Sequence, residues 1–398
     1  MGIEGKLDIS LYRGEPLKAT IRSSRPHHVS QLFTGKPVTY LLQTIPLLFN
    51  VCGAAQSAAA ISAVEQALQQ PATSAIQQQR HIVVQLESLR EQSWQWLLQV
   101  AAFSEQPGEK QALAKINTGL RQLGRSLNPH NKLFALHSET SIEPTQLAAQ
   151  WHTVQTLLQQ QLLGERNAKD WLAQSATDNL LSSSDNNSGH FLHWLAAQPW
   201  ADAGQTTICS LPDTAERDAT ITARLQTEGS RFSAAPDWRG QPCEASFFTF
   251  IQNHPQIQEL IQLRGNGLLS RCYGRLLGML LLMEELEAWF CGDYSPHPRP
   301  FPPQIQNTNP TLSHIRAARG HLSHYLQLAN DRQTVEQFHI IAPTEWNFHP
   351  EGVVAGSLRH LDQRYPETLE RQAGLLIQAL DPCVGYELTI LAEADYHA

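Results

Sequence analysis

Charge and sulfur are both scarce in this sequence. Only 17% of its 398 residues are charged, and the formal charge is −8, from 37 Asp and Glu against 29 Lys and Arg. A chain without a basic surplus lacks the surface that phosphate backbones require, which excludes nucleic acid as the main partner. Long apolar runs are missing as well: Tyr40 to Cys52 is broken by Gln43, Thr44, Pro46 and Asn50, and the run ending at Met283 meets Glu284 and Glu285. Neither approaches the ~20 residues of a bilayer span, so no membrane insertion is expected. No charged segment leading into an apolar one opens the chain, and no secretory signal is read there. The six cysteines stand far apart without a CxxC pair. That removes the usual iron–sulfur cluster motif and fits a reduced, cytoplasmic setting.

Gln, Ser, Thr, Asn and His fill the composition that charge leaves open. The length suits one large domain or two ordinary ones. Residues 1 to about 30 hold "GKLDISLY" and "PLKATIRSS", alternating segments bounded by Gly, Pro and Ser that read as a β-hairpin. From Pro37 to about Gln70 the pattern turns helical, with the Ala-rich "AAQSAAAISAVEQALQQ". Residues 74 to 165 read as two or three long helices with Trp94, Trp96 and Trp151 on apolar stripes, and their glutamines read either as a solvated surface or as a partner-docking face. The polar stretch 182 to 189 is a loop or soft boundary. "TTICSLPDTAERDATITARL" reads as strand material, residues 251 to 290 as one short and one long helix, and residues 320 to 346 as a hairpin across "ANDRQ". A last helix spans roughly Pro366 to Leu380. The fold class is mainly α with small β additions, read as a single domain over 1–398.

Two thiols stand at suggestive places. Cys52 lies where a loop enters the Ala-rich helix, and a helix N-terminus favours the thiolate that metals bind. Cys383 follows Asp-Pro, which ends a helix and opens a turn. Each, read alone, is open to two readings: a small buried hydrophobe or a ligand. His321 and His324, three apart, would point to opposite faces of a strand, which argues against joint ligation.

Five segments read together resemble the large subunit of nickel–iron hydrogenases. "GIEGKLDI" is similar to the family's RIEGHLxI start, and residues 32 to 68 resemble the segment with RxCGxCxxxH and the AxxxAVExAL helix. "AARGHLSHYL" resembles APRGxxxH, "IAPTEWNFHPEG" resembles VPTTWNxxPRD, and "DPCVGYELT" resembles DPCxxCxxH. The likeness is good at both ends and poor over residues 70–260. It implies a hydrogenase large-subunit-like helical bundle in which the chain ends meet around a metal pocket.

In that family four cysteines hold nickel, and the second of each pair also bridges to an iron carrying carbon monoxide and cyanide. Here the pairs become Phe49 with Cys52 and Cys383 with Tyr386, and the motif histidines become Gln56 and Thr389. Phe and Tyr offer no soft donor, so no stable nickel–iron centre and no nickel are expected, nor hydrogen turnover by the chain alone. Removal of a C-terminal peptide is likewise not expected.

Two retained thiolates resemble the pattern of the HupK/HoxV accessory proteins. The resemblance implies a non-enzymatic scaffold that holds the Fe(CN)2CO fragment transiently before it passes to a hydrogenase large subunit, with maturation chaperones of the HypC/HypD type as further partners. Cys52 and Cys383 are the implied metal ligands. By the same resemblance Arg319 lies over the diatomic ligands, Thr344 faces the cyanides, and Glu4 matches the family's proton-transfer glutamate. In the parent family only the second cysteine of each pair touches iron, so Cys52 matches an iron ligand and Cys383 a nickel-only one. The competing readings are a metal-free architectural subunit and an enzyme with its own two-cysteine iron centre.

Overall fold

The computed structural model describes residues 5–26, 29–49, 51–104, 110–139, 142–181, 186–292 and 309–397. Glu4, the adjacent histidines His27 and His28 whose spacing also suggests a metal site, and half of the 182–189 stretch lie outside the described residues.

Strands β1 (Leu7–Tyr12) and β2 (Lys18–Ser23) form the expected hairpin, burying alternate residues as a half-covered sheet should. Helices α1 (Val38–Leu48) and α2 (Gly53–Leu68) follow. The alanines of α2 let backbone approach from two sides. Ala55, Ala58 and Ala59 join the main core, while Ala60, Ala63, Val64 and Ala67 join a second core with Phe33, Leu326 and Phe338. α2 is thus a wall between the two, a role open to a helix whose side chains add little radius and lose no rotamer entropy.

The long helices α3 (Ser74–Ser104), α4 (Lys110–Ser126) and α5 (Ala148–Leu163) bear out the helical reading of residues 74–165. Their glutamines include a third class beyond the two anticipated. Gln79, Gln85, Gln92 and Gln99 are buried along α3, and the last three, seven residues apart, share nearly one face. Gln79 donates to the Leu127 carbonyl (2.5 Å) and Gln92 to that of Ala318. The side-chain carbonyls of Gln92 and Gln99 accept from the buried Arg275 at 3.3 and 3.1 Å. An amide is both donor and acceptor, so this seam gives partners to backbone carbonyls and to two guanidinium nitrogens of Arg275 that an apolar stripe would strand.

Residues 215–228 correct the strand expectation: Ala215–Glu228 is a helix, begun by Thr214 accepting from the Arg217 amide, with Glu216 and Asp218 in its first turn. Those capping signals outweigh the Thr/Ile content. The helix Leu268–Phe290 is buried along nearly its whole length, as its continuous apolar run demands. Among the described residues no helix is long and apolar enough to cross a membrane.

Beyond it, β3 (Thr311–Ala317), β4 (Gly320–Leu328) and β5 (Val335–Ile341) form an antiparallel sheet, and the "ANDRQ" hairpin is its β4–β5 turn. Arg319 sits at the β3–β4 tip. Gly320 there has φ +128°, and a Cβ would collide with the Ala245 carbonyl, so only glycine lets the tip seat.

The helix Leu369–Leu380 ends at Asp381 in the left-handed region (φ 46°). Pro382 to Gly385 then lead into β6 (Tyr386–Leu391), which adds to β1 in parallel, Leu7 opposite Tyr386. Because β2 runs back to Ser23 opposite Leu7, the exit of β2 and the entrance of β6 lie at the same end of one sheet. The two chain ends are joined by this pairing.

Candidate functional site

Cys52 is the residue at which the chain turns into α2. α3 secures that turn: Glu87 accepts from the Ala54 and Ala55 amides at 2.8 and 3.0 Å, and Arg90 donates to the Val51 carbonyl at 3.2 Å. The α2 N-terminus therefore does not favour a Cys52 thiolate as expected, because the Glu87 carboxylate already occupies it. Burial pushes the Cys52 thiol far above the ordinary thiol range; Glu87 and Cys383 push it further, while Arg319 and a long contact from Gln56 (3.9 Å) oppose. Cys52 is held as a neutral thiol, and a metal must displace its proton. Glu87 is itself raised to about 7 by burial, against the pull of the two amides and Arg90.

Gln56, in place of the family's motif histidine, accepts at 2.7 Å from His324 Nε2. His324 is wholly buried on β4, and that burial drops its pKa to about 3, so its imidazole is neutral. His321 faces the Phe250 ring instead. The opposite-face expectation for this pair holds.

Cys383 is held differently. Its sulfur accepts from Arg25 Nη1 at 2.9 Å and from Thr344 Oγ1 at 3.1 Å, and its amide donates to the same Thr344 oxygen at 3.2 Å. Arg25 reaches Cys383 because it follows β2 at the end of the sheet where β6 begins, and it pairs with Glu345 at 3.2 Å. Burial opposes the Arg25 charge, yet Glu345, Cys383 and Cys52 together raise its pKa.

Arg319 ties the two halves together. Its guanidinium lies 3.6 Å from Glu91 and 3.4 Å from Asp381, and its charge acts on both thiols. Buried Arg319 Nε and Asp381 Oδ2 nonetheless complete no hydrogen bond. Four of the five residues singled out from the sequence are thus brought to one neighbourhood: Cys52, Cys383, Arg319 and Thr344. Glu4 lies outside the described residues. Positions that carry sulfur in the hydrogenase motifs now pack: Phe49 lies against the second core, and Tyr386 against the main one.

Arg25, Glu87, Glu345 and Asp381 escaped the sequence reading. Only Asp381 carried a local signal, its place before Pro382-Cys383. The other three act through pairings between distant segments.

No family model matches the chain. Among curated proteins it is 26% identical over 366 residues to "Hydrogenase expression/formation protein HupK" of Bradyrhizobium diazoefficiens, covering 92% of this chain and 90% of that one. It is also 26% identical to the HupK protein of Azotobacter vinelandii, over 97% and 98% of the two chains. A shorter match, 44% over 77 residues, is to "Hydrogenase expression/formation protein HoxV" of Cupriavidus necator, covering 19% of this chain and 20% of that one. Among solved structures, the Ni-Fe-Se hydrogenase of Desulfomicrobium baculatum aligns with a TM-score of 0.62 at 14% identity, over 96% of this chain and 97% of that one. The chain therefore has the fold of the nickel–iron hydrogenase large subunit, and the curated homologues that match it over nearly its whole length include two hydrogenase expression/formation proteins named HupK, with HoxV matching a shorter segment.

Proposed function

We propose that this chain serves hydrogenase maturation as an accessory protein and holds the Fe(CN)2CO fragment as cargo before it passes to a hydrogenase large subunit. The observation that carries the reading is the gathering of Cys52 and Cys383, from opposite ends of the sequence, under one buried guanidinium. Arg319 Nε, 3.4 Å from Asp381 Oδ2, completes no hydrogen bond there, and cyanide nitrogen is an acceptor of the kind a guanidinium can serve. Thr344 offers a hydroxyl on the Cys383 side. Two thiolates suffice for a soft-ligated iron and fall short of the four that nickel takes in the parent family, so nickel is not expected. Moderate affinity suits a carrier, since a site as tight as the final one would retain its cargo. The asymmetry of the parent family gains a partial answer: Arg25 and Thr344 both donate to the Cys383 sulfur, so the nickel-only position is a held and oriented one here. Delivery by chaperones of the HypC/HypD type, and receipt by a hydrogenase large subunit, belong to the same reading.

A metal-free interaction subunit is the second reading, favoured by one observation: Cys52 is held as a protonated thiol. Infrared spectroscopy separates the two. Protein purified without oxygen from cells expressing the hydrogenase maturation genes is expected to show carbon monoxide and cyanide stretching bands that vanish in both Cys52→Ala and Cys383→Ala. Folded wild-type protein without such bands, despite an active maturation pathway, would reject the carrier.

A further inference from the structure

We propose that His152, Glu287 and Cys291 form a second metal site that takes one borderline divalent cation of the zinc class. The inference is independent of the iron-fragment reading. Glu287 and Cys291 are four apart at the end of the helix Leu268–Phe290, so they share a face. His152 comes from the first turns of α5, which packs against that helix. The imidazole nitrogen, carboxylate oxygen and thiol sulfur all lie within 4.8 Å of one another. Individual separations are 3.2 Å from Cys291 Sγ to Glu287 Oε1 and 3.8 Å from His152 Nδ1 to Glu287 Oε2. Ligand atoms around a tetrahedral zinc with bonds of ~2.0–2.3 Å stand about 3.3–3.8 Å apart. The three donors are already close to that spacing without an ion between them.

A second observation concerns the support behind the ligands. Trp151, wholly buried, donates from Nε1 to Glu287 Oε2 at 2.6 Å and stacks on Phe290 at 5.3 Å. That hydrogen bond fixes the carboxylate's rotation and leaves Oε1 toward Cys291, the kind of outer partner that orients metal-binding carboxylates. One nitrogen, one oxygen and one sulfur donor suit zinc, and cobalt or nickel as probes; magnesium and calcium want oxygen alone. Position helps too, because a cation at a helix C-terminus meets the negative end of the macrodipole.

In the metal-free protein the Cys291 thiol donates to Glu287 Oε1. The cation replaces that proton: the sulfur–metal bond forms as the S–H bond breaks, the proton leaves to solvent, and no redox change occurs. His152 Nδ1 also lies 3.4 Å from Gln155 Oε1, a contact the metal displaces. With water as fourth ligand, the ion fastens α5 to the end of the buried helix.

Cobalt(II) titration of the reduced, chelator-treated full chain tests this, read by absorption and run on the wild type and on a Cys52→Ser/Cys383→Ser variant so that the thiol pair cannot contribute. Expected are a thiolate-to-cobalt charge-transfer band and tetrahedral ligand-field bands saturating at one equivalent in that double variant, displaced by zinc. Cys291→Ser, added to the double variant, should abolish the charge-transfer band, and His152→Ala should weaken binding at least about tenfold. Both residues lie at the surface, and circular dichroism checks that the fold is kept. A charge-transfer band surviving Cys291→Ser would overturn the site, as would cobalt binding equally weak in the double variant and in His152→Ala.

Discussion

The two thiols of the candidate site come from the same ancestral motif type and sit in opposite electrostatic company. Cys52 faces Glu87 and an amide of Gln56, and is kept neutral by burial. Cys383 faces the Arg25 guanidinium and the Thr344 hydroxyl, both of which donate to its sulfur. Two donors already address the Cys383 sulfur, whereas the Cys52 thiol must give up a proton before it can bind any metal. The two sulfurs are thus not equivalent, and in the carrier proposed above capture and release need not be controlled by the same residue. The loop carrying Cys52 is fixed by a helix, α3, through Glu87 and Arg90, whereas Cys383 is fixed by a strand pairing and an ion pair.

The sharpest way to break the Cys383 half is Arg25→Ala. The Arg25–Glu345 pair is largely buried, and removing one partner of such a pair costs about 3–5 kcal/mol because the other charge stays behind. Chemical denaturation should show that loss, and Glu345→Gln added to Arg25→Ala should recover much of it. Recovery of nothing would mean that Arg25 matters through Cys383 rather than through Glu345.

On the Cys52 side, His324 supplies a pH test. Its folded pKa of about 3 lies below the ordinary 6.5, so the folded state binds the proton less well than the unfolded chain. Its stabilising contribution is fully present above pH 6.5 and is lost as pH falls from 6.5 toward 3, at about 1.4 kcal/mol per unit. Glu87, raised to about 7, works in the opposite direction over this window, so the test is the difference: between pH 7 and 5 the denaturation midpoint should drop more, or rise less, in wild type than in His324→Gln, even if that change lowers stability at pH 7. An unchanged slope would remove His324 from the account.

Much of this fold is legible locally. The Ala-rich composition of α2, the alternation in β1 and β2, and the "ANDRQ" turn each announce an element through neighbouring residues. What the sequence hides is pairing at a distance. β6 was visible only as the tail of a motif, because nothing in Tyr386–Leu391 says that it will lie parallel to Leu7–Tyr12. That one pairing decides that Arg25 meets Cys383. The site residues Cys52, Cys383, Arg319 and Thr344 were reachable because motif spacing carries them, whereas Glu87 looked like any polar residue of a Gln-rich helix. The buried glutamines are hidden for a related reason: amides are usual on surfaces, and only the heptad spacing of Gln85, Gln92 and Gln99 hints at one inward face. The Ala215–Glu228 helix shows the converse error, β-branched content weighed above the Thr214 cap.

Smaller effects separate the two thiols most finely. Glu87→Ala strips the carboxylate from the α2 amides, and loss of a cap costs about 0.5–2 kcal/mol. The same change removes a negative neighbour of Cys52, so the thiol should alkylate faster in Glu87→Ala than in wild type at a fixed pH, read by peptide mass spectrometry after timed labelling. Thr344→Val should cost about 1 kcal/mol through its hydrogen bonds at Cys383 and leave the Cys52 labelling rate where it was. Acceleration of both cysteines in either variant would show that the halves move together, and the asymmetry between a protonated and a hydrogen-bonded sulfur would then belong to one shared opening of the pocket.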